Sequence, residues 1–295
     1  MIRIGVDFGG TKIEAAALDA QGGVVARVRE RTSSDYEQCV IRVVDLVENL
    51  ERKVGQRAAR IGVGGPGSMS PQDSVMRNAN SIHLNGCPFP QDLARALGRP
   101  VRYANDANCL ALSEAADGAG AGEAVVFAVI IGTGCGAGLV IDGRLVEGRN
   151  GIAGEFGHNP LPWPNEAEAS QPCWCGKRGC LELFASGPGF AREFGPGQTA
   201  EEVVAADRAA GGAAITRYIE RLGRALGAVV NLLDPDVIVL GGGMSNVPEL
   251  YERLAPQIAR HTFADRTFTP VRKARHGDSS GVRGAAWLWP VEAGD

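Results

Sequence analysis

One unit of sequence occurs twice in this chain of 295 residues. In the first copy, the β-branched run Ile2 to Val6 ends in Asp7-Phe8-Gly9-Gly10-Thr11-Lys12. The apolar run Ile13 to Leu18, the turn Asp19-Ala20-Gln21-Gly22-Gly23 and the run Val24 to Val28 follow. In the second copy, Ala124 to Ile131 leads into Gly132-Thr133-Gly134-Cys135-Gly136, then Ala137 to Ile141, the turn Asp142-Gly143 and Arg144 to Glu147. Each copy reads as strand, glycine-rich tip, strand, turn and strand. Two copies of one unit predict two similar lobes facing each other.

The segments between and after the copies fill in the rest. Val40, Val43, Val44, Val47, Leu50 and Val54 recur at helical spacing, which predicts a helix over Tyr36 to Val54. Arg60 to Val63 and Val101 to Ala104 read as buried strands, the first running into Gly64-Gly65-Pro66-Gly67. Asn105-Asp106-Ala107-Asn108 then opens a helical run, Cys109 to Ala116, with a cap at its start. Helices are predicted at 200–210, 213–233, 248–260 and 281–289, and strands at 237–240 and 271–274. The strand at 237–240 opens into Gly241-Gly242-Gly243. Strands alternating with helices give an α/β class. The expected division is a small lobe over 1–118, completed by a terminal helix in 281–295, and a larger lobe over 119–280.

Composition excludes several classes of function. A hydrophobic content of 44% with 22% charged residues is globular, and a net charge of -4 offers no general basic surface to nucleic acid. No apolar run reaches the length of a membrane span, and Met1 leads directly into a strand, so a soluble cytoplasmic protein is expected.

Three cysteines and a histidine gather in the segment 154–182. His158, Cys173, Cys175 and Cys180 form His-x14-Cys-x-Cys-x4-Cys, a donor set suited to a closed tetrahedral Zn2+ site. Cys173 and Cys175 are too close for an unstrained mutual disulfide, and the odd total of seven cysteines argues against a secreted disulfide framework. Free thiols in a loop are the competing reading. The stretch Pro162 to Pro172, rich in proline and acidic residues, is expected to be an exposed loop. Glu155 and Glu182 flank the donor set, so a metal would hold two carboxylates in fixed positions.

The two glycine-rich tips are candidates for holding phosphate. Backbone N–H groups of small residues approach anionic oxygens closely, Thr11 and Thr133 add hydroxyl donors, and Lys12 adds a positive charge. Neither tip matches the P-loop or the dinucleotide fingerprint. A lone glycine hairpin is usually only a turn, but the duplication and the third cluster at 241–243 favour phosphate. Asp7 is placed either to meet Mg2+ bound to phosphates or to cap the loop. Asp106, at a strand-to-helix junction, is the candidate general base for phosphoryl transfer, although position alone favours a helix cap.

Jointly these motifs resemble the ROK sugar kinases, which have the actin-like ATPase (ribonuclease H-like) fold. The resemblance rests on Asp7 to Lys12, Asn105-Asp106-Ala107-Asn108, Ile131-Gly132-Thr133-Gly134-x-Gly136, Gly154-Glu155-Phe156-Gly157-His158, the segment Cys173 to Glu182, and Gly241-Gly242-Gly243. It covers nearly the whole chain. It implies ATP-dependent phosphorylation of a hexose, with Asp106 activating the 6-hydroxyl and Asn105, Glu155, His158 and Glu182 binding the other hydroxyls. His158 would hold zinc with one ring nitrogen and face the sugar with the other. Asp7, Gly9, Gly10, Thr11, Lys12, Thr133 and Gly134 would line the phosphate path with Mg2+, and Gly242 and Gly243 would lie near the adenosine. The resemblance also implies a homodimer.

Within the family, Asn78-Ala79-Asn80-Ser81, Leu84-Asn85-Gly86, Gly157 to Trp163 and His276 to Gly281 look like bacterial fructokinases that also take mannose. The expected product is therefore fructose 6-phosphate, with glucose or N-acetylglucosamine as the alternative sugar. The family also contains sugar-responsive repressors with a helix-turn-helix before the first hairpin. Here that hairpin begins at Ile2, so DNA binding is not expected, while a sugar sensor without turnover is a remaining alternative.

Overall fold

A computed structural model describes residues 2–289. The first copy of the repeated unit forms β1 (Arg3–Phe8), β2 (Lys12–Leu18) and β3 (Val24–Arg31), followed by helix α1 (Tyr36–Val54) and strand β4 (Ile61–Gly65). A two-residue hairpin, β5 (Ser68–Met69) with β6 (Met76–Arg77), then precedes α2 (Phe89–Leu97) and β7 (Val101–Asn105). The sheet order is β3-β2-β1-β4-β7. β1, β2 and β3 run antiparallel, and β4 and β7 join parallel to β1.

Helix α3 (Asp106–Asp117) leads to the second copy, β8 (Val125–Ile131), β9 (Cys135–Ile141) and β10 (Arg144–Leu145). Short helices α4 (Glu166–Ser170), α5 (Glu182–Ala185) and α6 (Gly187–Phe194) follow, then α7 (Ala200–Ala209) and α8 (Ala213–Leu233). The lobe ends with β11 (Val237–Gly241), α9 (Glu249–Ala259) and β12 (Val271–Lys273), before α10 (Ser280–Trp287). Its sheet order, β10-β9-β8-β11-β12, repeats the first with the same strand senses. The duplicated sequence therefore yields two copies of one mixed sheet.

The two sheets exchange helices. α3 follows the first sheet but lies against β8 and β9 of the second, while α10 follows the second sheet and lies against β1, β2 and β4 of the first. The two helices also pack on each other, so they form the bridge between the lobes. Glycine makes that approach possible: a Cβ on Gly62 would overlap Ala285 O, and one on Gly284 would overlap Cys109 O. The bridge is locked by Glu114, which is fully buried at the far end of α3. Its carboxylate accepts from the N–H groups of Ala119, Arg275 and His276 and from Ser280 Oγ. These bonds fix the end of α3 to the start of α10. Residues 290–295 of the expected terminal helical segment lie outside the described residues.

Each lobe has its own core. Ile4, Val6, Phe8, Ile13, Val43, Leu46 and Leu50 are almost fully buried between the first sheet and α1; Val129, Ile131, Leu222, Leu226, Ile238 and Leu240 fill the second lobe. Side chains of this size contribute about 1.5–3 kcal/mol each on burial, which holds each sheet rigid behind its glycine tip.

The stretch from Pro162 to Pro172 departs from expectation. It is not an open loop throughout, because Asn165 and Glu168 form a capping box that starts α4. Glu168 is buried, and its Oε1 accepts from Arg221 Nε at 2.8 Å. A buried carboxylate needs such a partner, and the pairing draws the segment down onto α8. α2 and α6 are further helices that the apolar periodicity does not announce.

Candidate active site and metal centre

The first tip is pinned at its base. Gly9 N donates to Lys12 O at 2.9 Å, and Thr32 ties β3 to the tip through Oγ1 to Gly9 O at 2.6 Å and N to Thr11 O at 3.1 Å. Gly10, Thr11 and Lys12 stand exposed at its end. A Cβ on Gly10 would meet nothing within 4 Å, so its backbone faces open space. The second tip has Thr133 exposed between Gly132 and Gly134, and it closes with Gly132 N to Gly134 O at 3.0 Å. Gly242, with φ 82°, lies against it: a Cβ there would come within 2.7 Å of Ile131 O. Gly242 and Gly243 are both exposed. The third glycine cluster therefore joins the second tip, as two exposed stretches of backbone side by side.

Asp7 lies in β1 directly opposite Glu14 of β2. Burial, with the charges of Asp106 and Glu14 behind it, raises the Asp7 pKa to about 6 despite the opposing Lys12. Glu14 is itself buried, and Arg27 Nε at 3.0 Å and Arg29 Nε converge on it. A site where carboxylates crowd at an open glycine tip fits a divalent cation with its phosphates, because the cation removes the repulsion.

Asn105 and Asp106 divide two roles at the start of α3. Asn105 Oδ1 accepts from Asn108 N at 2.8 Å, and Asn105 is the N-cap. Asp106 is the first helical residue; its Oδ1 accepts from the neighbouring Ala107 N at 2.8 Å, and its carboxylate also from its own N–H. Capping therefore falls to Asn105, and the Asp106 carboxylate keeps acceptor capacity for a ligand. Water reaches Asp106, yet the surrounding protein desolvates it enough to push its pKa up against two backbone hydrogen bonds. The same charge reaches Glu155, whose pKa is raised by burial and, more weakly, by Asp106 and Glu182, with His158 and Arg77 opposing. Asp7, Asp106, Glu155 and Glu182 thus form one electrostatically coupled group spanning both lobes.

Glu182 joins this group to the second tip. Its Oε2 accepts from Cys135 N at 3.0 Å and its Oε1 from Trp174 Nε1 at 2.7 Å. An ionised carboxylate has about four acceptor positions, so two remain for a ligand. Trp174 also stands edge-on to His158 with ring centroids 4.9 Å apart. Trp174 was not among the expected site residues, although its place between two donor cysteines is a usable signal.

His158, Cys173, Cys175 and Cys180 come together with their ligand atoms all within 4.8 Å of one another. Cys175 Sγ is 3.6 Å from Cys180 Sγ, and Cys173 Sγ is 3.8 Å from His158 Nδ1. A tetrahedron with metal–sulfur bonds of about 2.3 Å has edges of about 3.8 Å. These two pairs therefore stand at the separation a four-coordinate metal requires, and the other donors lie within an ångström or so of it. Nδ1 is the ring nitrogen turned to the sulfurs, which leaves Nε2 for another partner.

The ROK family model matches residues 3–292 of this chain. The chain is a ROK family sugar kinase. N-acetyl-D-glucosamine kinase from Pectobacterium carotovorum subsp. carotovorum is 38% identical to this kinase over 301 residues, covering 96% of this chain and 97% of its own. The enzyme of the same name from Photobacterium profundum is 38% identical over 297 residues, covering 96% and 98%. Among solved structures, the ROK hexokinase from Thermus thermophilus superposes with a TM-score of 0.85 at 32% identity, covering 98% of this kinase and 97% of its own chain. A ROK glucokinase from Streptomyces griseus in complex with glucose and AMPPNP gives 0.77 at 27% identity, covering 98% and 99%. The two lobes expected from the duplicated hairpins, and the actin-like fold that the family resemblance implies, are the fold of the kinase.

Proposed function

We propose that this kinase transfers the terminal phosphoryl group of ATP to the 6-hydroxyl of N-acetylglucosamine, with Asp106 as general base. The expectation of fructose gives way to its alternative because the matched relatives at 36–38% identity carry the name N-acetyl-D-glucosamine kinase. The observation that carries the mechanism is the division of labour at α3: Asn105 caps the helix, and the Asp106 carboxylate, free of that role, lies near enough to Asp7 and Glu155 for its charge to act on both.

On this reading Asn105, Glu155, His158 and Glu182 take the hydroxyls of the sugar and orient its 6-hydroxyl toward Asp106. As the oxygen attacks the terminal phosphorus, the bond from that phosphorus to the β,γ-bridging oxygen breaks and ADP leaves with the electron pair, while Asp106 accepts the hydroxyl proton and later returns it to solvent. A raised pKa makes Asp106 a stronger base than an ordinary carboxylate, which favours the transfer. The tips around Gly9 to Lys12 and Thr133-Gly134 hold the phosphates, Gly242 and Gly243 lie by the nucleoside, and Asp7 sits where the phosphate-bound cation belongs. When bound, Mg2+ offsets charge on the phosphates of ATP. His158, Cys173, Cys175 and Cys180 would hold a structural Zn2+, and the segment they close would then keep Glu155 and Glu182 fixed at its two ends. The chain works on this reading as the homodimer its family resemblance implies.

The test is a panel of hexoses with ATP and Mg2+, reported as kcat/KM. The proposal expects N-acetylglucosamine to lead, and a lead for fructose, mannose or glucose would overturn the choice of sugar. A site that hydrogen-bonds one pattern of substituents leaves buried groups unpaired with another, so the preference should be large.

A further inference from the structure

The lobes touch through a hairpin that has no part in the proposed reaction and a loop that ends at Glu155. In the small lobe, Ser68 pairs with Arg77 in the β5–β6 hairpin. Arg77 Nε donates to Ser68 Oγ at 3.3 Å, and its Nη2 donates across the lobes to Asn150 O. In the large lobe, the receiving loop leads from Gly148 to Glu155. Gly148, Gly151 and Gly154 have φ of 75°, 63° and 90°, a backbone that glycine adopts without strain. A Cβ on Gly151 would lie 3.1 Å from Met69 O of the hairpin, so the loop and hairpin meet backbone to backbone. The two ends of the hairpin also meet closely, since a Cβ on Gly67, just before β5, would lie 2.7 Å from Ala79 N, just after β6.

We propose that Arg77 is a positioning residue for sugar binding: it clasps the 148–155 loop of the large lobe to the small-lobe hairpin and makes the placement of Glu155 conditional on lobe closure. This rests on reading Glu155 as a sugar ligand. The geometry explains why an arginine serves here. One edge of its planar guanidinium is held by its own hairpin, leaving another N–H to reach the opposite lobe, which a lysine ammonium does with less directional control. The Arg77 charge also reaches Glu155, where it favours the ionised carboxylate that accepts hydroxyl protons. Since Asn150 offers its main-chain carbonyl, the clasp depends on the path of the loop and not on the Asn150 side chain.

The experiment compares Arg77→Ala, Arg77→Lys and Gly151→Ala with the wild type in KM for hexose, KM for ATP, kcat and thermal midpoint. Sugar affinity is also read directly from tryptophan fluorescence, since Trp174 is bonded to Glu182. Arg77→Ala should raise the hexose KM and Kd about tenfold, the order expected for one charged hydrogen bond. ATP KM, kcat at saturating sugar and the thermal midpoint should stay near wild type. Gly151→Ala, whose Cβ would lie 3.1 Å from Met69 O and 3.8 Å from Arg77 Nη2 at a positive φ, pushes the loop off the hairpin while leaving Arg77 in place, and should reproduce the effect; Arg77→Lys should recover part of it. Hexose KM within twofold of wild type in Arg77→Ala and Gly151→Ala, or equal losses in sugar and ATP affinity, would overturn the proposal. A wild-type protein that phosphorylates no hexose would instead sink the kinase reading beneath it.

Discussion

Replacing Asp7 by asparagine should make this protein more stable and less active at the same time. The Asp7 pKa is raised from 3.8 to about 6, first by burial and then by Asp106 and Glu14. A folded-state acid with a raised pKa binds its proton more tightly than the unfolded chain does. Stability is therefore highest below the unfolded value and falls as pH rises through the window from 3.8 to about 6. The shift corresponds to about 3 kcal/mol of strain above pH 6, at about 1.36 kcal/mol per pH unit. With an unfolding entropy of about 2.1 cal/mol/K per residue, the whole chain would gain about 5 °C in Tm on removing it. The assay is thermal unfolding of wild type and Asp7→Asn in EDTA from pH 4 to 8. The gain should be full at pH 8 and vanish near pH 4, and Mg2+ with ATP should raise the Tm of wild type more than that of the variant. A variant less stable than wild type at pH 8, or a gain independent of pH, would refute the reasoning.

Other perturbations separate the parts of the account. Cys175→Ser should abolish stoichiometric zinc binding, measured by elemental analysis, and raise the hexose KM by loosening Glu155 and Glu182; a metal-free variant with wild-type sugar affinity would show that the four-donor site does not hold the sugar site. Gly62→Ala should cost several kcal/mol in urea unfolding, because its Cβ would overlap Ala285 O on the bridging helix α10. Gly10→Ala has room for the methyl group and should leave stability nearly unchanged while raising the KM for ATP.

Local chemistry made much of this legible in advance. Strand, tip and strand are adjacent in sequence, so both hairpins and the duplication of the sheets could be read directly. The donor set was legible because Cys173, Cys175 and Cys180 are close in the chain. What depended on tertiary contact was not. The exchange of α3 and α10 between the sheets depends on glycine at contact faces such as Gly62 and Gly284, and a lone glycine looks the same whether it faces a helix or water. α2 opens at Phe89-Pro90 and α6 at Gly187-Pro188-Gly189, where proline in the first turn reads as a break although it also starts helices. Glu168 could have been found, since Asn165-x-x-Glu168 is a capping-box pattern; its setting among acidic residues and prolines suggested solvent. Glu14 carried a weaker signal, a carboxylate inside an otherwise apolar strand. Arg77 carried none, since its partner is a carbonyl on the other lobe.

The central claim is that the carboxylate of Asp106 takes the proton of the sugar hydroxyl. Asp106→Asn keeps the shape of the side chain and leaves the Asn105 cap in place, so single-turnover transfer from ATP to N-acetylglucosamine, measured beside the sugar Kd, tests it most directly. The account predicts an unchanged Kd with transfer slowed by about a hundredfold or more. Transfer at near wild-type rate with sugar bound would contradict it.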